Sequence, residues 1–367
     1  MELSRGKLLA AGAALALVAV IAWLAKREPV TPLANDAASS ASPSVSGSTT
    51  TIMPTVTIPV LPSGSMVVPQ KNLPNAFELP WGTGSGALGR KLPQEGNPEA
   101  PMSVAVGPDG VTWVLDQVND RIVRIGKDGK VIDTIPLTVK GAQDIALTKD
   151  GGAVVLDRLA DKRVVVIGPD GKPRGSITLE GKGLSEGGAA TGVFVDGKSV
   201  YVEREHEQLV KVGDTEGKAD PDRKEIPGRP TRDGNGYIRA WGDIPGTRVF
   251  VTYTNKEPQE HRFTRQLNTA LVTHGIVLLD SDRVGIIYLG VLGWKVLPTG
   301  EPDGAPMLTV YCLEPAHGAP IGMTTVPANS SPEETFRELA VLDDGGVIYM
   351  RRTEKGVVAT PIDCRGP

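Results

Sequence analysis

The sequence predicts an all-β fold, a six-bladed β-propeller, with seven blades as the alternative. The first observation is a repeat, because Val114-Leu115-Asp116 recurs 41 residues later as Val155-Leu156-Asp157. A period of about 40 residues, built from short apolar runs and turns, is typical of a propeller blade. The second is composition: 44 glycines and 30 prolines suit a chain that turns often. The third is that only 4% of the residues are aromatic, so the core depends largely on aliphatic residues, whose β-branched members favour strands.

Each strong copy of the repeat turns at an Asp-Gly pair and ends its second strand in an aspartate. Glycine accepts the positive φ of such turns without steric cost. A short carboxylate at a strand end can accept backbone N–H bonds from the next turn. We therefore expect a structural role, with Arg121 and Arg163 pairing with the strand-end carboxylates. The alternative is a ring of aspartates that lines one mouth of the channel and binds a cation. The residues that define the repeat are Asp109, Gly110, Asp116, Asn119, Arg121, Asp150, Gly151, Asp157 and Arg163.

Residues 107–130 resemble the NHL repeat, which has an Asp-Gly turn, a strand ending in Asp, Asn-x-Arg-Ile and a second Asp-Gly turn. The first copy has all of these, including Asn119 and Arg121. The second copy keeps Asp157 and Arg163, and the third has Glu203 in place of the aspartate. The strong match covers about residues 100–180. The resemblance implies a propeller of usually six blades and no particular activity, since this fold carries enzymes, receptors and scaffolds.

Looser copies extend the pattern to the C-terminus. Residues 191–203 and 339–362 match the strands of a blade, and two divergent units lie between them, around 248–253 and 275–311. Five or six units can be counted, and we predict six blades of four antiparallel strands. The ring must close, because an open ring would expose an apolar face. Phe77-Glu78-Leu79 is the segment expected to complete the last blade. We expect any localised function between about residues 203 and 326, where the pattern is least regular.

The N-terminal part of the chain differs from the repeat region. Residues 8–25 carry no charge, and as a helix they would span about 27 Å, close to the thickness of a bilayer core. We predict a signal anchor over residues 1–28, the alternative being a cleaved signal peptide. Residues 29–74 are rich in Ser, Thr and Pro and are predicted to be a disordered linker. The propeller domain is assigned to residues 75–367, on the extracytoplasmic, periplasmic side of the cell membrane.

The two cysteines, Cys312 and Cys364, are candidates for a disulfide bond. Disulfides persist outside the cytoplasm. Two buried thiols, or a pair of metal ligands, are the alternatives. The net charge of −4 argues against a general nucleic-acid binder, which needs a basic face.

No motif in the sequence predicts a catalytic or cofactor-binding residue. The four histidines are scattered, and none forms a pair with metal-ligand spacing. His206, in a highly charged stretch, is expected at a solvated strand edge. Residues 82–89 are rich in glycine but lack the Gly-Lys-Ser/Thr ending of a phosphate loop. Tryptophans of the domain are expected to pack between blades, and a glycan-binding role for exposed ones stays open. The tryptophans concerned are Trp81, Trp113, Trp241 and Trp294.

Together these observations predict a membrane-anchored extracytoplasmic β-propeller that acts as a binding or scaffold module in the cell envelope. Its partner would be a protein or a polysaccharide, with membrane contact through residues 8–25 and no cofactor. The alternative is a metal-dependent hydrolase, lactonase or lyase with a carboxylate site in the propeller channel.

Overall fold

The computed structural model describes residues 74–364. The predicted anchor and nearly all of the predicted linker lie outside these residues. The described chain forms 23 β-strands in five antiparallel sheets, with short 3₁₀ turns at Gln117–Asn119 and Gly187–Ala189 and no α-helix. Within this range, no helix is both long and apolar enough to cross a bilayer.

Three successive four-stranded sheets follow the chain order. The first sheet holds β2 (Ser103–Val106), β3 (Thr112–Asp116), β4 (Arg121–Ile125) and β5 (Val131–Pro136); the second holds β6 (Asp144–Leu147), β7 (Ala153–Asp157), β8 (Arg163–Ile167) and β9 (Pro173–Thr178); the third holds β10 (Ala190–Asp196), β11 (Ser199–Arg204), β12 (Gln208–Asp214) and β13 (Glu225–Ile226). The predicted Asp-Gly turns join the first two strands of the first and second sheets, and Gly110 and Gly151 have φ values of 76° and 86°. The repeat in the sequence is thus the repeat of the sheets.

The next sheet has seven strands. They are β14 (Arg229–Pro230), β15 (Gly236–Gly242), β16 (Gly246–Asn255), β17 (His261–Ser281), β18 (Ile287–Val296), β19 (Pro302–Leu313) and β20 (Pro320–Pro327). The long β17 pairs with β16 through its first half and with β18 through its second half. The structure therefore has five sheets where the sequence predicted six separate ones. Residues 261–281 contain no proline and no Asp-Gly pair, so nothing in that segment interrupts the strand.

The closing sheet combines the two ends of the domain. Its order is β1 (Phe77–Pro80), β23 (Gly356–Ile362), β22 (Val347–Arg352) and β21 (Leu339–Val341). Phe77 pairs with Ala359 and Leu79 with Val357, which confirms the predicted N-terminal strand. Cys312 of β19 and Cys364, just after β23, form a disulfide with a Cα–Cα distance of 5.7 Å. This bond joins the seven-stranded sheet to the closing sheet.

The hydrophobic core lies mainly between neighbouring sheets. One cluster joins the closing sheet to the first sheet, and others join the first to the second, the second to the third, and the seven-stranded sheet to the closing sheet. Trp113 is buried between the first two sheets, as predicted, and Trp81 packs against the first of these clusters. Trp241 differs from the prediction, because 42% of it is exposed.

Six segments of the described chain line a common central channel. Its walls come from β2, β6, β10, β14, the second half of β17 and the segment around β21, and they enclose about 580 Å³. Around the channel β21 contacts β2, β2 contacts β6, β6 contacts β10, and β17 contacts β21. This arrangement of sheets around a channel is a β-propeller fold. We call these six segments the inner strands.

Candidate functional site

A buried carboxylate joins four of the inner strands at one end of the channel. Asp144, the first residue of β6, is fully buried. Its Oδ1 accepts a hydrogen bond from the Ser103 hydroxyl at 2.6 Å, and its Oδ2 accepts one from the Val193 backbone N–H at 2.9 Å. The guanidinium of Arg337, just before β21, donates to Oδ2 at 2.7 Å. A buried charge needs such partners, because an unpaired one would be costly.

Two guanidinium groups flank an aromatic ring beside this carboxylate. The Cζ atom of Arg337 lies 5.1 Å from the centroid of the Phe194 ring, and the Cζ atom of Arg229 lies 4.9 Å from it. Both distances are within the range of a cation–π attraction. Phe194 therefore connects the arginine that precedes β21 to the arginine of β14.

Arg229 extends this network to the last inner strand. Its Nε and Nη2 donate to the two carboxylate oxygens of Glu203 at 2.7 and 2.9 Å, and its Nη1 donates to the Leu279 carbonyl of β17 at 2.9 Å. All six inner strands are thus connected. We call this network the inner belt, and its side chains are Ser103, Asp144, Phe194, Glu203, Arg229 and Arg337.

Glu203 is held as a carboxylate by its partners. Burial alone would raise its pKa, but the charge of Arg229 and the hydrogen bonds from His206 and Arg229 outweigh burial. The pKa of Glu203 therefore lies well below its ordinary value of 4.5. His206 itself is 73% exposed at the channel mouth, as the sequence predicted for a solvated position.

This depressed pKa predicts a pH-dependent contribution to stability. The unfolded chain takes up a proton at Glu203 near pH 4.5, whereas the folded chain resists it, so the stabilisation is present above that pH and is lost as the pH falls. We expect Glu203→Gln to be less stable than the wild type at pH 7 by about 1–3 kcal/mol. The difference in stability between the two proteins should shrink as the pH falls below 4.5. Thermal unfolding of the full chain in detergent measures it. Glu225→Gln, an exposed glutamate, is the control; a difference independent of pH would contradict the assignment.

The charged groups at the other end of the channel are paired in the same way. Arg232 donates to Asp280 at 2.6 Å and to Asp343 at 2.7 Å, and Lys256 donates to Asp196 at 2.5 Å. Burial would lower the pKa of Arg232, but the two carboxylates outweigh it and raise that pKa above its ordinary value. Asp144, Asp196, Asp280 and Asp343 therefore already have cationic side chains as partners. Asp233, which also lines the channel, accepts hydrogen bonds from the backbone N–H and the amide of Asn235. Within residues 74–364, no group of three or more His, Cys, Asp or Glu is arranged to hold a metal ion.

The strand-end residues of the first repeat lie outside the channel and hold a neighbouring loop. Asp116 accepts bonds from the Gly89 N–H, from Asn119 and from Arg121. Arg121 also donates to three carbonyls of the 82–89 loop, and Asn119 donates to a fourth. These contacts have the structural role that the sequence predicted. The repeat binds four carbonyls of the glycine-rich loop and one of its N–H groups, that of Gly89.

The second repeat departs from one prediction. Asp157 accepts backbone N–H bonds from Leu159, Ala160 and Asp161, which is the expected turn. Arg163, however, pairs with Asp161 at 2.7 Å and not with Asp157. The turn donors occupy Asp157, and the arginine binds the exposed neighbouring carboxylate.

Sequence reasoning did not identify the members of the inner belt other than Glu203. One signal was present, because Ser103 and Asp144 lie one repeat apart and both begin an inner strand. Their shared partner, Arg337, is 193 residues from Asp144 and belongs to an irregular segment. Only the closed ring brings these groups together.

No family model and no curated protein sequence matches the chain. The structure is similar at low identity to a member of the duf4221 family from Bacteroides vulgatus, with 10% identity, a TM-score of 0.46 and coverage of 79% of this chain and 96% of that one. Hydrazine synthase from Kuenenia stuttgartiensis has 13% identity and a TM-score of 0.45, and the match covers 70% of this chain and 76% of that one. Streptogramin B lyase has 8% identity and a TM-score of 0.39, and the match covers 74% of this chain and 96% of that one. With TM-scores below 0.5, these similarities carry no argument about function.

Proposed function

We propose that this protein is a membrane-anchored, extracytoplasmic β-propeller that acts as a binding or scaffold module in the cell envelope. The observation that carries the proposal is the inner belt, in which Asp144 pairs with Arg337 and Glu203 with Arg229. Hydrogen bonds and ring contacts of these two pairs reach all six inner strands. Because these charged side chains bond to other groups of the protein, we assign them to holding the ring together. We assign binding of a partner to the outward-facing surfaces of the propeller.

We propose further that the ring has six blades. The first half of β17 would serve as the outer strand of the fourth blade, and its second half as the inner strand of the fifth. This division makes two four-stranded units of the seven-stranded sheet. The number of inner strands around the channel supports it. The Asp116, Asn119 and Arg121 contacts support assignment to the NHL-repeat type.

Two features support the proposed location. The uncharged run of residues 8–25 is long enough for a membrane anchor. The Cys312–Cys364 disulfide suits a domain that folds in an oxidising compartment.

The second candidate is a hydrolase, lactonase or lyase that uses a metal bound by channel carboxylates. Such a site needs carboxylates that are available to a cation. In the structure, Asp144, Glu203 and Asp280 are instead bound by arginines. This pairing favours the binding module.

A reporter fusion tests the proposed location. Alkaline phosphatase, which is active only when exported, is fused to the C-terminus of the full chain in a bacterial host. We expect an active enzyme in the membrane fraction, and an inactive one when residues 8–25 are deleted. An inactive phosphatase, together with a fluorescent cytoplasmic reporter at the same position, would overturn the extracytoplasmic assignment.

A further inference from the structure

The seven-stranded sheet presents an aromatic row to solvent, away from the channel. The strand register places Trp241 of β15 opposite Phe250 of β16, and Phe250 opposite Gln266 of β17. The Trp241 and Phe250 rings are nearly parallel, with an interplanar angle of 13° and centroids 5.5 Å apart. Trp241 is the one tryptophan among residues 74–364 with a large exposed fraction, 42%.

Hydroxyl and amide side chains continue this face on both sides of the aromatic row. Thr252 and Thr264 pair across the strands on one side, and Asn268 lies on the other. The Gln266 amide donates to Asn268 Oδ1 at 3.0 Å, and the Thr264 hydroxyl donates to Thr252 Oγ1 at 3.3 Å. These bonds hold the side chains in place, and the Thr252 hydroxyl also donates to the Phe263 carbonyl at 3.0 Å. The exposed amides of Gln266 and Asn268 keep further donors and acceptors. The name Trp241 face is used for Trp241, Phe250, Thr252, Thr264, Gln266 and Asn268.

The alternation along β17 explains why this face is open. Phe263, Leu267 and Leu271 point to the other side of the sheet and are buried there. Thr264, Gln266 and Asn268 alternate with them and are exposed. The region lies in the irregular part of the chain, between residues 203 and 326, where the sequence analysis placed any localised function.

We propose that the Trp241 face binds an uncharged polysaccharide of the cell envelope; this inference rests on the proposed function. The apolar face of a sugar ring packs on an aromatic ring, and its hydroxyls need donors and acceptors at the edge of that ring. The face offers both, with amides and hydroxyls beside the Trp241–Phe250 pair.

The charge of the face matches this occupant. None of its six side chains is ionisable, but three ionisable residues lie beside them. Arg248, opposite Asn268, is paired with Asp243 at 2.7 Å, and Arg239, opposite Thr252, is paired with Glu207 at 3.5 Å. His261 is hydrogen-bonded through Nε2 to the Thr264 hydroxyl at 2.9 Å. A surface of uncharged side chains bordered by paired arginines complements an uncharged ligand, whereas an acidic or basic polymer would call for unpaired charges of the opposite sign. Ligand groups would meet side chains already fixed by hydrogen bonds, so little ordering is needed on binding.

Affinity electrophoresis tests the proposal. The full chain, solubilised in detergent, is run in native gels that contain envelope polysaccharide from the source cells, freed of protein and depleted of charged chains by anion exchange. We expect the wild type to be slowed, and periodate oxidation of the polysaccharide to abolish the effect. Trp241→Ala should weaken the apparent affinity by about tenfold or more, and Gln266→Ala by a smaller factor. Ile132→Ala changes an exposed apolar residue of the first sheet; it is the control and should bind as the wild type does.

Several outcomes would overturn the proposal. They are an unretarded wild type, retardation by the charged fraction alone, and an unchanged affinity of Trp241→Ala. If Trp241→Ala does not fold, as judged by its thermal transition, Gln266→Ala and Asn268→Ala decide the result. The face would be assigned to a protein instead if the wild type bound no polysaccharide but was cross-linked to a protein partner, and Trp241→Ala lost that cross-link. An active phosphatase fusion together with no retardation removes this inference alone, whereas an inactive fusion removes the proposed function.

Discussion

Replacing both Phe77 and Leu79 with alanine is expected to abolish the cooperative fold of the propeller. Both side chains of the closing strand are only 7% exposed and pack in the cluster between the closing and first sheets. Loss of a buried phenylalanine costs about 3–5 kcal/mol and of a leucine about 2–5 kcal/mol. The two losses together are comparable to the whole free energy of unfolding of a typical domain, about 5–15 kcal/mol. The measurement is thermal unfolding of the full chain in detergent, followed by circular dichroism.

Glu78→Ala is the matched control for this variant. Glu78 lies between the two replaced residues on the same strand, but its side chain is exposed. We expect its thermal transition to stay close to that of the wild type, since exposed substitutions usually change stability by less than about 0.5 kcal/mol. A double variant that melts like the wild type would show that β1 does not close the ring.

Replacing Asp144 with alanine is expected to lower the free energy of unfolding by about 3–5 kcal/mol. The reason is that the substitution leaves the Arg337 guanidinium, the Ser103 hydroxyl and the Val193 N–H without their common acceptor. Asp161→Ala is the control, because it removes an exposed ion pair with Arg163. Such a pair contributes about 0–1 kcal/mol. Equal melting temperatures for the two variants would contradict the role assigned to Asp144.

The parts of the fold that were predicted from the sequence are those set by local residue patterns. The Asp-Gly turns require a positive φ that glycine accepts, so they marked the strand ends of the first two sheets. Alternating apolar residues marked β1, whose Phe77 and Leu79 point to the core while Glu78 points to solvent. With two cysteines in the chain, a disulfide could only join Cys312 to Cys364.

The parts that were not predicted depend on contacts between distant residues. The Asp144 partner is 193 positions away, and no local pattern relates the two. Arg163 pairs with Asp161 while Asp157 accepts the N–H bonds of its own turn, an arrangement that the repeat alone does not reveal. The exposure of Trp241, near the end of β15, is likewise marked by no local pattern in the sequence.

A double-mutant cycle between Asp144 and Arg337 tests most directly whether the channel charges hold the ring together. Unfolding free energies are measured for the full-length wild type, Asp144→Ala, Arg337→Ala and the double variant. We expect the double variant to lose less stability than the two single losses added together, by about 2 kcal/mol or more. Single losses that add to within about 0.5 kcal/mol would mean that the two residues act independently, and would contradict the inner belt as the structural centre of this propeller.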